Sequence, residues 1–254
     1  MGFGYEKTPR TAKPPALDSA APVLFCIAAR RDVFLEWKTM KDKVQDTSVT
    51  AAAERVRRAS VLELARRLDP DRPHSEQVTR LALNLFDELG DLHGMGPYER
   101  KLLEYAARLH DVGWSIGGRR HHKHSMNLIR DEGLAGFSPL EISLIAGVAR
   151  YHRRALPKRK HAEFAELPER FQKVVADLAA MLRVADGLDF THRSVVERIE
   201  ASWDSRTLRL TVISLRPAVV EREKAAGKGD LIEKQFARRF RFDQQLPEDV
   251  QVRK

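Results

Sequence analysis

The chain has 254 residues, with 45 lysines and arginines against 36 aspartates and glutamates, and a formal net charge of +9. This length suffices for one helical domain and a small appendage without covalent cross-links. The single cysteine, Cys26, excludes an internal disulfide framework, and the longest apolar run near the start, residues 23–29, is too short to span a bilayer. We therefore expect a soluble cytoplasmic protein with no membrane partner, and the positive charge favours an anionic partner.

The basic residues concentrate at residues 119–123 and 150–160 rather than in a terminal tail. Clustered charge indicates a phosphate-bearing ligand held at a site, whereas a tail is typical of non-specific nucleic-acid binding. Nucleic acid is the weaker alternative, because it requires a continuous basic stripe and an affinity that falls steeply with salt.

The first elements in chain order are a lead-in and five helices. Residues 1–22 contain prolines and no sustained hydrophobic period, which is typical of a flexible segment, and we take residues 1–50 as this N-terminal part. Two helix starts carry specific signals: a proline after Gly96, and the capping-box pattern from Ser138 to Glu141. Apolar periodicity predicts helices over residues 51–68, 74–89, 97–110, 138–152 and 169–187.

The character of the sequence changes after Glu197. Residues 198–203 and 207–215 partly alternate between apolar and polar side chains and contain β-branched residues. They flank the turn-like pair Asp204-Ser205, so the pattern predicts a β-hairpin.

Short helical segments follow the hairpin, near residues 219–226 and then to about residue 238, and a final strand is predicted over residues 240–242. The predicted fold is therefore mainly α. A helical domain covers residues 51–196, and a small α/β appendage covers residues 197–254.

Several histidines and aspartates fall on or at the end of apolar helical stripes. His110, for example, follows Leu103, Ala106 and Ala107 at seven, four and three residues. Burying an unpaired carboxylate in a helical core costs several kcal/mol unless a cation or a dense hydrogen-bond network compensates its charge. The residues concerned are His74, His110, Asp111, His152 and Asp186.

Each of these residues has a simpler interpretation when taken alone. A histidine on an apolar face is usually a hydrogen-bonded core residue, and Asp186 could pair with Arg183 one turn earlier. Taken together, three histidines and two aspartates on four helices fit the mixed nitrogen and oxygen ligands of a catalytic divalent ion.

The loop after Asp111 is rich in glycine and arginine and leads into a helix near His124. Backbone amides at the start of that helix favour an anion. Arg119, Arg120 and Lys123 add positive charge, although a solvated basic loop is the alternative for each of them.

The set His74, His110-Asp111 and Asp186 resembles the signature of the HD superfamily. Four blocks then resemble, in the same order, the HD domain of the exopolyphosphatase and guanosine pentaphosphate phosphohydrolase family, over roughly residues 51–240. The blocks are LLEYAARLHDVGWSI, HHKHSMNLI, GFSPLEISLIAGVARYHRRALP and LAAMLRVADGLDFTH. The resemblance implies an HD-domain helical bundle over residues 51–196.

The polyphosphatase activity of that family is understood to lie in an actin-like ATPase-type portion preceding the HD domain. This chain has neither the length nor the Gly-rich phosphate loops expected for that portion. The resemblance therefore implies that any hydrolytic role lies in the HD portion itself, where the His110-Asp111 pair is intact.

The resemblance also implies a ligand set for one or two divalent ions. His74, His110, Asp111 and Asp186 would hold the first ion, and Asp111 could bridge to a second. His124 and His152 stand where two-metal HD enzymes have extra histidine ligands. Manganese, iron, cobalt, zinc and magnesium are the candidate metals, and magnesium suits several imidazoles least.

The mechanism expected from this set is attack by a water whose pKa the metal lowers, with Asp111 as the central catalytic residue. Lys123 and Arg153, with Arg120 as a third candidate, would bind the remaining phosphates. A general acid is not assigned.

The expected function is a metal-dependent phosphohydrolase, acting as a phosphomonoesterase, a phosphodiesterase or a hydrolase of polyphosphate or nucleotides. The alternative is a non-catalytic regulatory module that binds an anionic ligand such as guanosine tetraphosphate or polyphosphate. For the appendage, a homo-oligomer contact and a lid over the site both stay open.

Overall fold

The computed structural model of the chain describes residues 47–214 and 216–245. The flexible lead-in predicted for residues 1–22 lies outside the described residues, as do Cys26 and Leu215, the last residue of the predicted hairpin.

The described chain begins with helices. They are α1 (Thr47–Leu68), α2 (Arg72–Glu88), α3 (Gly90–His93), α4 (Pro97–Leu109), the 3-10 helix η1 (Val112–Ser115), α5 (His121–Glu132), α6 (Pro139–Arg150), α7 (Ala162–Ala165) and α8 (Glu169–Gly187). The remaining elements are β1 (Val196–Trp203), β2 (Thr207–Ser214), α9 (Val219–Ala226), α10 (Asp230–Phe236) and β3 (Arg239–Gln245). The predicted fold class, mainly α with a small α/β appendage, is confirmed.

The helix starts follow the predicted capping chemistry. The Ser138 Oγ accepts a hydrogen bond from the Glu141 amide at 3.3 Å, and the Glu141 carboxylate accepts one from the Ser138 amide at 2.8 Å. At α4, the Glu99 carboxylate accepts from the Gly96 amide at 2.9 Å, with Pro97 in the first turn. These bonds satisfy amides that a helix start otherwise leaves unpaired.

Four helices form the core around which the candidate site is built. Helix α2 packs on α4 and α8, and α6 also packs on α4 and α8. Their facing side chains are fully buried, among them Leu81, Leu103, Leu144 and Leu182. Of the six predicted ligand positions, all but His124 lie at or just beyond the ends of these four helices, which the packing brings together.

The three-stranded sheet has the order β1-β2-β3. Strands β1 and β2 form the predicted antiparallel hairpin, with Ile199 opposite Val212. The predicted final strand is also present, and β3 pairs in parallel with β2 through the crossover α9–α10, with Leu208 opposite Phe240.

The outer edge of β1 is covered by side chains of α2. The Asn84 amide oxygen accepts from the Ile199 amide at 2.6 Å, and the Glu88 carboxylate accepts from the Ala201 amide at 2.9 Å. Helices α9 and α10 pack against α8. The appendage is therefore joined to the helical core along two helices, and this edge of the sheet is protected. Within the described part of the chain, no helix is both long enough and apolar enough to cross a membrane.

Candidate metal centre

Asp111 lies where two groups of side chains that could hold a metal ion meet. The carboxylate follows the end of α4 and precedes η1. One group consists of His74, His110 and Asp111, and the other of Asp111, His121 and His152; the donor atoms within each group lie within 4.8 Å of one another. We call these donor set A and donor set B. Asp111 belongs to both.

The two oxygens of Asp111 are divided between the sets. Its Oδ2 lies 3.6 Å from the His110 Nε2 and 3.9 Å from the His74 Nε2 in set A. Its Oδ1 lies 3.4 Å from the His121 Nε2 and 3.6 Å from the His152 Nε2 in set B. All four imidazoles therefore present the same nitrogen, Nε2, to one carboxylate.

The other ring nitrogen of each histidine is held by an acceptor. His74 Nδ1 donates to the Asp189 carboxylate at 2.8 Å. In His110, His121 and His152 the acceptor is the backbone carbonyl three residues earlier, at 2.7, 3.1 and 2.7 Å respectively. Because a carbonyl only accepts, the proton lies on Nδ1 in these three rings when they are neutral, and Nε2 carries a lone pair. This is the arrangement of a metal-ligating histidine.

The donor atoms fit a divalent ion by two further observations. The His110 Nε2 and the Asp111 Oδ1 are buried, and neither has a hydrogen-bond partner among the described residues. The Nε2 atoms of His121 and His152 face each other at 3.1 Å, with both Nδ1 atoms already donating elsewhere. Ligands of one ion with bonds of about 2.1 Å must lie roughly 3 to 3.5 Å apart. The observed separations are close to this range.

The charges of the centre are distributed unevenly. Burial lowers the pKa of His152 to about 3 and also lowers the pKa of His121, so both rings are neutral at neutral pH. Burial also opposes ionisation of Asp111, but the neighbouring histidines hold the pKa of its carboxyl below the ordinary value. His74 differs: burial lowers its pKa, yet the carboxylates of Asp186 and Asp189 outweigh burial and raise the pKa to about 10.

Asp186 lies beside set A and also contacts the appendage. Its Oδ1 is 3.5 Å from the His74 Nε2, and its other oxygen forms an ion pair with Lys228, which lies between α9 and α10. Burial opposes ionisation, and Lys228 holds the pKa of Asp186 well below the ordinary value. Arg183, the alternative partner considered from the sequence, pairs with Asp230 instead.

His124 requires a correction, because the structure does not bring it to either donor set. Its Nε2 lies 3.2 Å from the Arg119 carbonyl oxygen on the exposed side of α5. The inward stripe of α5 consists of His121, Ser125 and Ile129, spaced by four residues. The helix starts three residues before His124, and its first residue, His121, takes the place predicted for His124.

The predicted phosphate-binding residues Lys123 and Arg153 are exposed, as is Arg120. The positive charge of Arg153 contributes to the lowered pKa of His121. Arg150 belongs to the same basic run but is buried and paired with Glu163 at 3.2 Å, so it adds no free charge to the surface.

Gly113 and Ser125 fix the distance between Asp111 and α5. The Ser125 hydroxyl donates to the His110 carbonyl oxygen at 2.6 Å and accepts from the Gly113 amide at 2.9 Å. The backbones are so close that a Cβ on Gly113 would lie 2.1 Å from the His121 carbonyl oxygen. This contact places His121 opposite Asp111.

The sequence missed three residues of the centre: His121, Asp189 and Lys228. His121 could have been found from its spacing to Ser125 and Ile129. Asp189 lies beyond the end of α8, where helical periodicity carries no signal. Lys228 belongs to the appendage and reaches Asp186 only through tertiary packing, which no local sequence pattern predicts.

Comparison with known proteins places the chain in a family. Residues 56–220 match the model of the family described as Ppx/GppA phosphatase, domain III. Two proteins named guanosine-5'-triphosphate,3'-diphosphate pyrophosphatase, from Vibrio vulnificus and Pseudoalteromonas translucida, are each 30% identical, over 102 and 109 residues. The matched regions cover 40% and 41% of this chain but 20% and 21% of those proteins, so the chain spans about a fifth of their length. The family model covers most of the described residues, and the chain therefore belongs to the Ppx/GppA phosphatase family through its domain III.

Proposed function

We propose that the chain is a metal-dependent phosphohydrolase of the HD type, with one divalent ion at donor set A and a second at donor set B. The observation that carries the proposal is the position of Asp111, whose two oxygens face four Nε2 atoms that are oriented by their own Nδ1 hydrogen bonds. We place the HD domain at residues 51–196 and the appendage at residues 197–254.

The chemistry of the donors favours particular metals. Imidazole nitrogens with carboxylate oxygens suit manganese, iron, cobalt or zinc better than magnesium. A divalent ion bound here supplies a water of lowered pKa and offsets negative charge on phosphoryl oxygens. The protein holds the ligands: Asp189 orients His74, and the carbonyls at residues 107, 118 and 149 orient the other three rings.

The proposed substrate is a nucleotide or polyphosphate. The curated relatives are named for a guanosine substrate that carries both a triphosphate and a diphosphate. The exposed cations Lys123 and Arg153 are suited to bind phosphate oxygens beside the centre. Inorganic polyphosphate and nucleoside polyphosphates share this chemistry.

The test is a substrate panel with purified protein reconstituted separately with each metal. The panel contains a phosphate monoester, a phosphate diester, GTP and inorganic tripolyphosphate. We expect turnover that requires manganese, iron, cobalt or zinc and stops on chelation. Stoichiometric metal without turnover of any substrate would instead support the regulatory module that binds an anionic ligand.

His121 and His124 provide a matched pair on one helix. We expect His121→Ala to weaken binding of the second ion by more than about 10-fold, because a direct ligand is lost. His124→Ala should leave both ions bound, since its ring faces the outer side of α5. Calorimetric titration measures the metal affinity of each variant. An equal loss of affinity in the two variants would contradict the assignment of set B.

Asp189 is expected to act as a positioning residue for His74. Its two oxygens accept from the His74 Nδ1 and from the Ser194 amide, each at 2.8 Å. Asparagine offers one oxygen, so Asp189→Asn leaves one of these donors facing an amide NH2 group. We expect metal affinity at set A to fall about 10- to 100-fold.

The control for Asp189→Asn is Asp131→Asn at an exposed site of α5. Metal affinity and the melting temperature of the metal-free protein are measured together. Unchanged metal affinity in Asp189→Asn, or a loss that only follows a lower melting temperature, would contradict a positioning role.

A further inference from the structure

The 3-10 helix η1 exposes two large apolar side chains beside the metal centre. Trp114 is 47% exposed and Ile116 is 58% exposed, whereas Val112 and Gly113 of the same turn are buried. An exposed indole next to a charged centre is unusual, because burial of its large apolar surface is favourable. The position of Trp114 therefore suggests a ligand that covers it.

One face of the Trp114 ring is already occupied. It stacks on the His121 ring with centroids 4.7 Å apart and planes at 18°. Gly118 lies along the same ring, since a Cβ there would be 2.3 Å from the indole Cζ3. His121 Nδ1 donates to the Gly118 carbonyl, so these two neighbours of the indole are also bonded to each other. Trp114 is nevertheless 47% exposed, and we call the part of the indole that His121 and Gly118 do not cover its open face.

Positive charge also lies close to Trp114 along the chain. Arg119 and Arg120 follow η1 and are exposed. The positive charge of Arg153, which is also exposed, contributes to the lowered pKa of His121. A flat aromatic surface and donor set B therefore share the His121 ring, and exposed arginines precede His121 in the chain. A flat base joined to a chain of phosphates matches all three, whereas inorganic polyphosphate matches only the cations and the metals.

We propose that the open face of Trp114 is a stacking surface for the base of a nucleoside polyphosphate whose phosphates lie at the metal centre. This inference rests on the proposed function and narrows its substrate to nucleotides. The exposed arginines bind the phosphate chain, and the indole distinguishes a nucleotide from inorganic polyphosphate, because aromatic stacking requires a ring on the ligand.

The test compares GTP and ATP with inorganic tripolyphosphate, which carries the same number of phosphates without a base. In Trp114→Ala we expect KM for both nucleotides to rise roughly 5-fold to 100-fold, as loss of one base–aromatic stack predicts. KM for tripolyphosphate should stay within about twofold of its value in the unaltered protein. This change is much smaller than the one expected from losing a base–aromatic stack. Trp114→Phe keeps a ring and should recover much of the nucleotide affinity.

A binding measurement separates this inference from the proposed function. With Trp37→Phe and Trp203→Phe, Trp114 is the sole tryptophan of the chain. GTP should quench its fluorescence and tripolyphosphate should not, in metal-loaded protein, whether or not either compound is hydrolysed. If neither is hydrolysed but only GTP quenches, the hydrolase proposal fails and the stacking surface stands.

Two results would overturn the stacking surface. In the first, Trp114→Ala weakens GTP and tripolyphosphate equally, which would mean that the indole only supports His121. In the second, Trp114→Ala does not change GTP affinity, and GTP does not change Trp114 fluorescence.

Discussion

Asp111→Asn is expected to reduce metal-dependent hydrolysis by at least about 100-fold, because several kcal/mol of transition-state stabilisation depend on the bound ions. Asp111 is the member common to both donor sets, and its oxygens face His74 and His110 on one side and His121 and His152 on the other. An asparagine keeps the shape of the side chain but replaces one charged oxygen with an NH2 group, which does not ligate a metal ion. Both sites should therefore lose affinity together.

The control is Asp91→Asn, which makes the same chemical change at an exposed position of α3. Bound metal is quantified by elemental analysis, turnover is measured on the responsive substrate, and helical content is checked by circular dichroism. Retention of two ions with normal turnover in folded Asp111→Asn would show that Asp111 is not the shared ligand.

Gly113→Ala is expected to destabilise the fold by about 3 kcal/mol and to lower the melting temperature by roughly 6–12 °C. A Cβ at this position would lie 2.1 Å from the His121 carbonyl oxygen and 2.4 Å from the Ser125 amide nitrogen. Both are backbone atoms, so α5 must move as a whole. That movement also carries His121 away from Asp111, and we expect binding at donor set B to weaken.

Gly90→Ala is the matched control, because a Cβ there meets nothing within 4 Å. Gly90 is helical, so alanine should stabilise slightly, by less than about 1 kcal/mol. Thermal unfolding of the metal-free variants measures the difference. Equal melting temperatures for the two variants would contradict the close approach of η1 to α5.

Much of the fold was predictable because its helices are strongly amphipathic and carry local start signals. The capping pair Ser138 and Glu141 and the proline after Gly96 marked two helix starts. The hairpin was predicted from alternation around Asp204. The parallel pairing of β3 with β2 was not predictable, because it depends on a crossover through two helices and not on local pattern.

The candidate centre was predictable where its residues lie on apolar stripes of long helices. His74, His110 and His152 were identified in this way, and the structure brings their Nε2 atoms to Asp111. His124 was predicted as a ligand from the family resemblance, but it is His121 that the structure brings to donor set B, at the start of α5. Its N-cap, Arg120, has a left-handed φ of 64° and no capping side chain, so the sequence gives little sign of the start.

Residues that support the ligands were harder to predict than the ligands. Asp189 reaches His74 from a position beyond α8, across 115 residues of sequence. Lys228 pairs with Asp186 only because α9 and α10 pack on α8. The appendage therefore contributes a charge to the site, while its roles as a lid or an oligomer contact stay predictions.

Anomalous X-ray scattering from crystals of the protein soaked in manganese tests the proposed two-metal centre at Asp111. We predict two peaks on either side of Asp111, one contacted by the Nε2 atoms of His74 and His110 and the other by those of His121 and His152. Manganese bound only elsewhere, or no peak at Asp111 with the side chains ordered, would rule out metal binding at donor sets A and B.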